Sequence, residues 1–198
     1  MIGIIDYGMG NLRSVQKAFE FLGKEAIISA DQKELMKASH LVLPGVGAFR
    51  DAIATLKKTG LDKLIQDAVA QQTPLLGICL GMQLLFEESE ENGHYQGLGL
   101  LPGRIVHLPP EVKAPQIGWN DLIIKKKSPL FDTLPPESYV YFVHSYYLET
   151  TAPIVSATCL YGKEIAVAAQ QGNIFAVQFH PEKSGEVGLK ILEQFGRI

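Results

Sequence analysis

Three side chains carry the sharpest chemical signal. Cys79 stands in Gly77-Ile78-Cys79-Leu80-Gly81, with an apolar run before it and an apolar, helix-like run from Met82 to Phe86 after it. This is the G-x-S-x-G nucleophile elbow with cysteine in the serine's position. A tight strand-to-helix turn holds the nucleophile in a strained conformation, and small flanking residues let neighbouring segments pass close. The thiol then lies at a helix N-terminus, where the dipole favours thiolate, and the Leu80 N–H points at any oxyanion formed there. A lone cysteine at a strand end reads as a small buried hydrophobe; the two glycines and the strand–turn–helix setting favour the nucleophile.

A nucleophilic thiol needs a base. Of His40, His94, His107, His144 and His180, only His180 has an acid placed to orient it, in His180-Pro181-Glu182. In an extended chain, residues two apart point to the same side. The Glu182 carboxylate then accepts from one ring nitrogen while the other faces the thiol. A second oxyanion donor is expected from Pro44-Gly45-Val46-Gly47, whose glycines allow unusual backbone angles and exposed N–H groups. A plain strand-to-helix turn fits that segment equally well. The segment from Gly8 to Arg13, with Asp31 farther on, comes close to a dinucleotide fingerprint. Arg13, however, stands where the third glycine is needed for close helix–sheet packing.

The elements that position these groups alternate in the first half. Ile2–Ile5, Ala26–Ile28, Leu41–Leu43 and Leu75–Ile78 read as buried strands, and Leu12, Val15, Phe19 and Leu22 form a helical stripe with Asn11 as its N-cap. Leu61, Leu64, Ile65 and Ala68 mark another helix. Such alternation predicts an α/β fold, a flavodoxin-like open and mostly parallel sheet with helices on both faces. Beyond about residue 100, Ile105–Leu108, Leu122–Ile124, Tyr139–Tyr147, Ile154–Thr158, Ile165–Ala169 and Ile174–Phe179 are strand-like, with little helix between them. They predict antiparallel strands added to the sheet or a small second sheet. Val187, Ile191 and Phe195 predict a closing helix capped by Ser184, Glu87–Glu91 a solvated helix end, and Gly118-Trp119 a turn.

Composition excludes several classes. The chain has 198 residues, 46% of them hydrophobic and 20% charged, which fits one folded domain over 1–198 rather than a disordered or coiled-coil chain. Its 18 basic and 21 acidic side chains leave a net charge of −3, which recommends no nucleic acid. No apolar run approaches the roughly 18 residues of a membrane span. The two cysteines, Cys79 and Cys159, form neither a metal-ligand pattern nor a disulfide framework. No metal or cofactor is expected, and the cytoplasm is the expected compartment. Cys159, in an apolar strand without a basic neighbour, reads as inert.

The elbow, the glycine-rich loop before it and His180-Pro181-Glu182 resemble the triad-type, class I glutamine amidotransferases. The order Cys…His-x-Glu separates the chain from papain-like proteases. Tyr7–Val15, Pro44–Phe49, Pro115-Gln-Ile-Gly-Trp-Asn120, Val143–Tyr147 and His180–Ser184 are together similar to the glutaminase subunits of imidazole glycerol phosphate synthases, which serve histidine biosynthesis. The resemblance implies a Cys79–His180–Glu182 triad, oxyanion N–H groups from Val46 and Leu80, and glutamine held by Gly47, Gln83, Ser145 and Tyr146. It also implies a heterodimer with a (β/α)₈-barrel cyclase subunit. Ammonia crosses that barrel to a ribulosyl phosphate intermediate, giving imidazole glycerol phosphate and an aminoimidazole carboxamide ribonucleotide. Asn11, Ser14, Trp119, Tyr141 and Lys183 are the implied partner contacts. Two other classes stay open: a stand-alone cysteine hydrolase of the same fold, γ-glutamyl hydrolase or DJ-1-like, and a non-catalytic nucleotide-binding module.

Overall fold

Strands covered on both faces carry continuous apolar runs, and the N-terminal half is built from them. The computed structural model describes residues 1–198. It begins β1 (Ile2–Ile5), α1 (Leu12–Phe21), β2 (Ala26–Ser29), α2 (Gln32–Leu35), β3 (His40–Leu43), α3 (Phe49–Thr59), α4 (Leu61–Ala70), β4 (Leu75–Ile78) and α5 (Leu80–Leu84). There follow β5 (Phe86–Ser89), β6 (Tyr95–Gln96), β7 (Leu101–His107), β8 (Gln116–Asp121), β9 (Ile123–Ile124), β10 (Tyr139–His144) and β11 (Tyr146–Glu149). The chain closes with β12 (Val155–Tyr161), β13 (Lys163–Gln171), β14 (Ile174–Val177) and α6 (Gly185–Phe195).

β2, β1, β3, β4 and β14 lie side by side in that order and pair in parallel. This is the flavodoxin-like strand order expected of the alternating pattern. β13, β11 and β7 extend the sheet through antiparallel pairs, and β12 runs along β13. β8 and β10 form a separate two-stranded antiparallel sheet. Both forms expected of the second half, added strands and a small second sheet, are therefore present.

Alternation within each parallel strand divides the core between the two faces. Ile2, Ile4, Val42 and Leu76 pack with Val15 and Phe19 of α1 and with Ile191, Leu192 and Phe195 of α6. Ile5, Leu41, Leu43 and Leu75 pack with Phe49 and Leu56 of α3 and with Leu61 and Ile65 of α4. No helix is long and apolar enough to cross a membrane.

Several local expectations are corrected. α5 stops at Leu84, because Phe86–Ser89 pairs with β7 and tertiary pairing outweighs helical pattern. The acidic run is thus a strand and a loop, in which Glu87 accepts the Gly103 N–H at 2.8 Å and Glu91 the Phe49 N–H at 2.7 Å. Tyr139–Tyr147 is broken at Ser145 into two strands of different sheets. Trp119 lies in the middle of β8, where Gly118 has φ +132°, rather than on a turn. Asn11 and Ser184 precede their helices, but neither side chain caps. The Ser184 hydroxyl instead donates to His180 O at 2.6 Å and accepts the Tyr141 N–H at 3.0 Å. Asp31, the dinucleotide candidate, caps α2 by accepting the Lys33 and Glu34 N–H groups.

α5 meets β3 at Gly81, where a Cβ would lie 1.7 Å from the Leu43 carbonyl oxygen. Backbone cannot give way there as a side-chain tip can. Gly81→Ala is therefore expected to cost about 3 kcal/mol or more of stability, read as a lowered urea midpoint with an unchanged slope.

Candidate active site

The parallel strands β4 and β14 end together, and their continuations meet. Cys79, directly after β4, has φ 55° and ψ −112°, a positive-φ conformation that is strained for a residue with a side chain. Its N–H is held by Val177 O at 2.8 Å, and its carbonyl accepts the Gln83 N–H at 3.2 Å. The sulfur lies 3.9 Å from Val143 O of β10, as a thiol donor to that carbonyl. From β14 the chain runs on through Gln178 and Phe179 to His180, whose N–H is held by Tyr141 O at 3.0 Å.

His180 Nδ1 lies 2.8 Å from Glu182 Oε1, and the two side chains are 3% and 1% exposed. The contact is made across a 3₁₀ turn, Pro181–Lys183, not across the extended chain the spacing suggested. Nδ1–H donates to the carboxylate, which leaves Nε2 as the basic nitrogen. That atom is buried and has no hydrogen-bond partner, and the same holds for Glu182 Oε2. Burial pushes the imidazole down, but the Cys79 sulfur and the Glu182 carboxylate more than offset it and raise His180 to about 9.

A cavity of about 300 Å³ opens over the sulfur, lined by Cys79, His180, Val46, Gly47, Leu80, Gln83, Ser145 and Tyr146. Sequence reasoning named all of these. Glu182 does not line it and stands behind His180. Beneath the Gly45–Gly47 loop, the Tyr7 hydroxyl donates to Pro44 O at 3.0 Å. Burial first, and then the nearby Cys79, hold that phenol well above its ordinary range.

Sequence reasoning missed four polar groups here. Glu91 lines the cavity and is its only carboxylate. His144 also lines it, and its partner Gln116 and the nearby Gln178 are buried. Gln83 Nε2 donates to Tyr146 O at 3.3 Å and to Gln178 Oε1 at 2.9 Å, and Gln178 Nε2 reaches the Cys79 sulfur at 3.8 Å. His144 Nδ1 donates to Tyr146 O at 2.8 Å, and its Nε2 lies 3.0 Å from the Gln116 carboxamide. Burial above all holds His144 down at about 4, although the Tyr146 carbonyl opposes it. A neutral His144 accepts at Nε2, so the carboxamide must turn its NH₂ toward the ring. Period-two spacing from His180 was the one available signal for Gln178.

The five residues suggested for partner contact surround the same end of the sheet. Trp119 and Tyr141 are register partners on β8 and β10, with ring centroids 6.1 Å apart. Trp119 is 57% exposed, beside Ile117 at 64% and Tyr139 at 50% on the same face. Ser14 and Glu182 line a separate side cavity, Asn11 precedes α1, and Lys183 is exposed in the turn after His180. Cys159 is fully buried in β12, and burial pushes its thiol up to about 12.

The two site histidines put stability on opposing slopes. His180 sits above its ordinary 6.5, at about 9, so its contribution is complete below pH 6.5 and is lost as pH rises toward 9. His144 sits below 6.5, at about 4, so its contribution is complete above pH 6.5 and is lost as pH falls toward 4. Melting temperature should therefore peak near pH 6.5. His144→Gln, which keeps a donor to Tyr146 O, should flatten the acid limb in melts at pH 4.5 and 6.5. An acid limb of unchanged steepness would contradict this.

The family model for glutamine amidotransferase class-I matches residues 3–197. Imidazole glycerol phosphate synthase subunit HisH of Geobacillus sp. (strain WCH70) is 54% identical over 205 residues, covering 100% of this chain and 97% of that one. The subunit of the same name from Caldanaerobacter subterraneus subsp. tengcongensis is 52% identical over 199 residues, covering 100% and 98%. A crystal structure of a glutamine amidotransferase has the same fold, with a TM-score of 0.78 over 98% of each chain at 22% identity. An elbow cysteine that shares a cavity with a buried histidine is thus found in a chain related along its whole length to such enzymes, and the chain belongs to the class-I glutamine amidotransferases as a HisH-type subunit of imidazole glycerol phosphate synthase.

Proposed function

We propose that residues 1–198 act as one glutaminase domain that works through Cys79, His180 and Glu182 and delivers ammonia to a docked cyclase subunit. The observation that carries this is the buried His180–Glu182 pair, 2.8 Å across, beside a positive-φ cysteine at the floor of a cavity of about 300 Å³. That volume lies at the small end for ligand sites and suits a single amino acid.

The Cys79 sulfur attacks the side-chain amide carbon of glutamine. The amide oxygen becomes an oxyanion, which the Leu80 and Val46 N–H groups take up. His180, protonated and oriented by Glu182, gives its Nε2 proton to the leaving ammonia. The γ-glutamyl thioester that remains is attacked by a water from which His180 takes a proton, and glutamate leaves. Glu91, the only carboxylate of the cavity, suits the α-ammonium of glutamine, and the unspent Gln83 Oε1 can accept beside it. Gly47, Ser145 and Tyr146 complete the pocket wall.

Free ammonia protonates and diffuses away, so an acceptor site must lie over the cavity. The exposed apolar face of Ile117, Trp119 and Tyr139 beside Tyr141 supports a docking role. Asn11, Ser14 and Lys183 extend it. The partner is a (β/α)₈-barrel cyclase subunit that uses the ammonia to make imidazole glycerol phosphate and an aminoimidazole carboxamide ribonucleotide. An open docking face is of no use to a stand-alone hydrolase.

Cys79→Ala is expected to abolish glutamine-dependent synthesis, by several orders of magnitude, and to leave ammonia-dependent synthesis by the complex intact. Glutamine use at an undiminished rate would overturn the nucleophile.

The partner is expected to switch the site on. Leu80 N–H is fixed by the elbow, whereas the loop around Val46 has Gly47 at φ +107° and tolerates a peptide flip. One added oxyanion donor is worth roughly 10²–10³ in rate. The kcat for glutamine should rise by that factor when partner and acceptor analogue are both bound, and Trp119→Ala should weaken docking by about 2 kcal/mol and lose part of the rise. Equal kcat in the free and bound chain would remove the switch, and a change confined to KM would move it to the glutamine pocket.

A further inference from the structure

Gln178 is fully buried and lies directly after β14, two residues before His180. A carboxamide there costs free energy unless both of its ends are satisfied. One end meets Gln83 and the other meets the Cys79 sulfur. Which end is which follows from a single fixed point. Tyr146 O is a backbone carbonyl and can only accept, so the Gln83 atom facing it must be Nε2. The second N–H on that atom meets Gln178, so the Gln178 atom facing it must be Oε1. Its remaining end, 3.8 Å from the sulfur, is then the NH₂ group. Two amides therefore carry the polarity of one carbonyl to the sulfur, which is offered a donor and not an acceptor.

We propose that Gln178 is a further catalytic residue, whose Nε2–H donates to the Cys79 sulfur and stabilises it as thiolate. This rests on the reading of Cys79 as the nucleophile. When the thiol ionises, its proton passes to His180 Nε2 and the electron pair stays on sulfur, facing the Gln178 N–H. During attack that pair forms the sulfur–carbon bond. When the thioester breaks, the pair returns to sulfur, and the same donor receives the leaving thiolate. Gln178 therefore acts at both ends of the cycle, whereas Gln83 holds it in orientation.

The test is alkylation of the full chain by iodoacetamide, read separately at Cys79 and Cys159 by mass spectrometry between pH 6 and 10. Gln178→Met removes the donor. Gln178→Glu keeps an oxygen on Gln83 Nε2 but sets a second oxygen against the sulfur. Both should slow Cys79 alkylation at pH 7 by about tenfold, with the gap closing at high pH, where the thiol ionises without help. Wild-type rates at pH 7 in either folded variant would overturn the proposal. So would a deficit that persists undiminished at high pH, since that reports access rather than ionisation. Cys159 must stay unlabelled as the sign of an intact fold. If either variant labels it, ¹⁵N-glutamine labelling of the wild-type chain decides the matter. The Gln178 side-chain N–H signal should move as the sulfur ionises and stay still in Cys79→Ala, and a signal equally flat in both refutes the hydrogen bond. Continued glutamine use by Cys79→Ala would remove the nucleophile but would leave the Gln178–sulfur contact readable by alkylation.

Discussion

The rest of the site depends on how closely α5 approaches the end of β3. Gly81 lies against the Leu43 carbonyl with no room for a Cβ, and a Cβ on Gly77 would lie 2.8 Å from Met82 Cα. With α5 pressed in this far, the chain has a single residue in which to leave β4 and start the helix. That residue is Cys79, and φ 55° is the consequence. A sparsely populated positive-φ conformation of this kind costs roughly 1–3 kcal/mol. The bonds from Cys79 N–H to Val177 and from Gln83 N–H to Cys79 O hold it in place. The strain is thus generated by packing between elements and is displayed at the sulfur.

β10 connects what the elbow has set up. Its Tyr141 carbonyl holds the His180 N–H, its Val143 carbonyl faces the sulfur, and its last residue, His144, clamps Tyr146 O. On its outward side Tyr141 stacks edge-on with Trp119. Ser184 closes the loop, since its one hydroxyl binds the Tyr141 N–H and the His180 carbonyl together. A strand that belongs to the small exposed sheet therefore touches both halves of the proposed catalytic pair. Any shift of that sheet must move carbonyls in contact with His180 and Cys79.

The parts of this arrangement that depend on neighbours in sequence were legible in it. Cys79 with its glycines and His180 with Glu182 are local patterns, and the parallel strands announce themselves as short apolar runs between helical stripes. The parts that depend on long-range pairing were hidden. Glu87–Glu91 looks like a solvated helix end until β7 claims the segment as a strand. Gly118 looks like a turn because glycine is a common turn residue, but its φ of +132° is absorbed within β8. Ser184 and Asn11 have the right chemistry for caps, but the Ser184 hydroxyl is drawn to His180 and Tyr141 instead. Gln178 sits among Val177 and Phe179 and reads as an interruption of an apolar run. Its meaning needs Gln83, far away in sequence, on its other side.

The two buried histidines illustrate how the site divides its charge. Desolvation pushes both imidazoles toward the neutral form. His180 overcomes it because the Cys79 sulfur and the Glu182 carboxylate both favour the cation. His144 has only a carbonyl and a carboxamide for partners, and the positive charge on His180 acts against a second one. One cation is therefore tolerated in this pocket, and the carboxylate fixes it on the ring whose free nitrogen shares the cavity with the sulfur. The neutral histidine then has a definite tautomer, donating to Tyr146 O. That same carbonyl sets the orientation of Gln83 and, through it, of Gln178. Charge placement and amide orientation are two results of one rule: each buried polar atom takes the partner its chemistry permits, and backbone carbonyls, which cannot switch roles, decide the remainder.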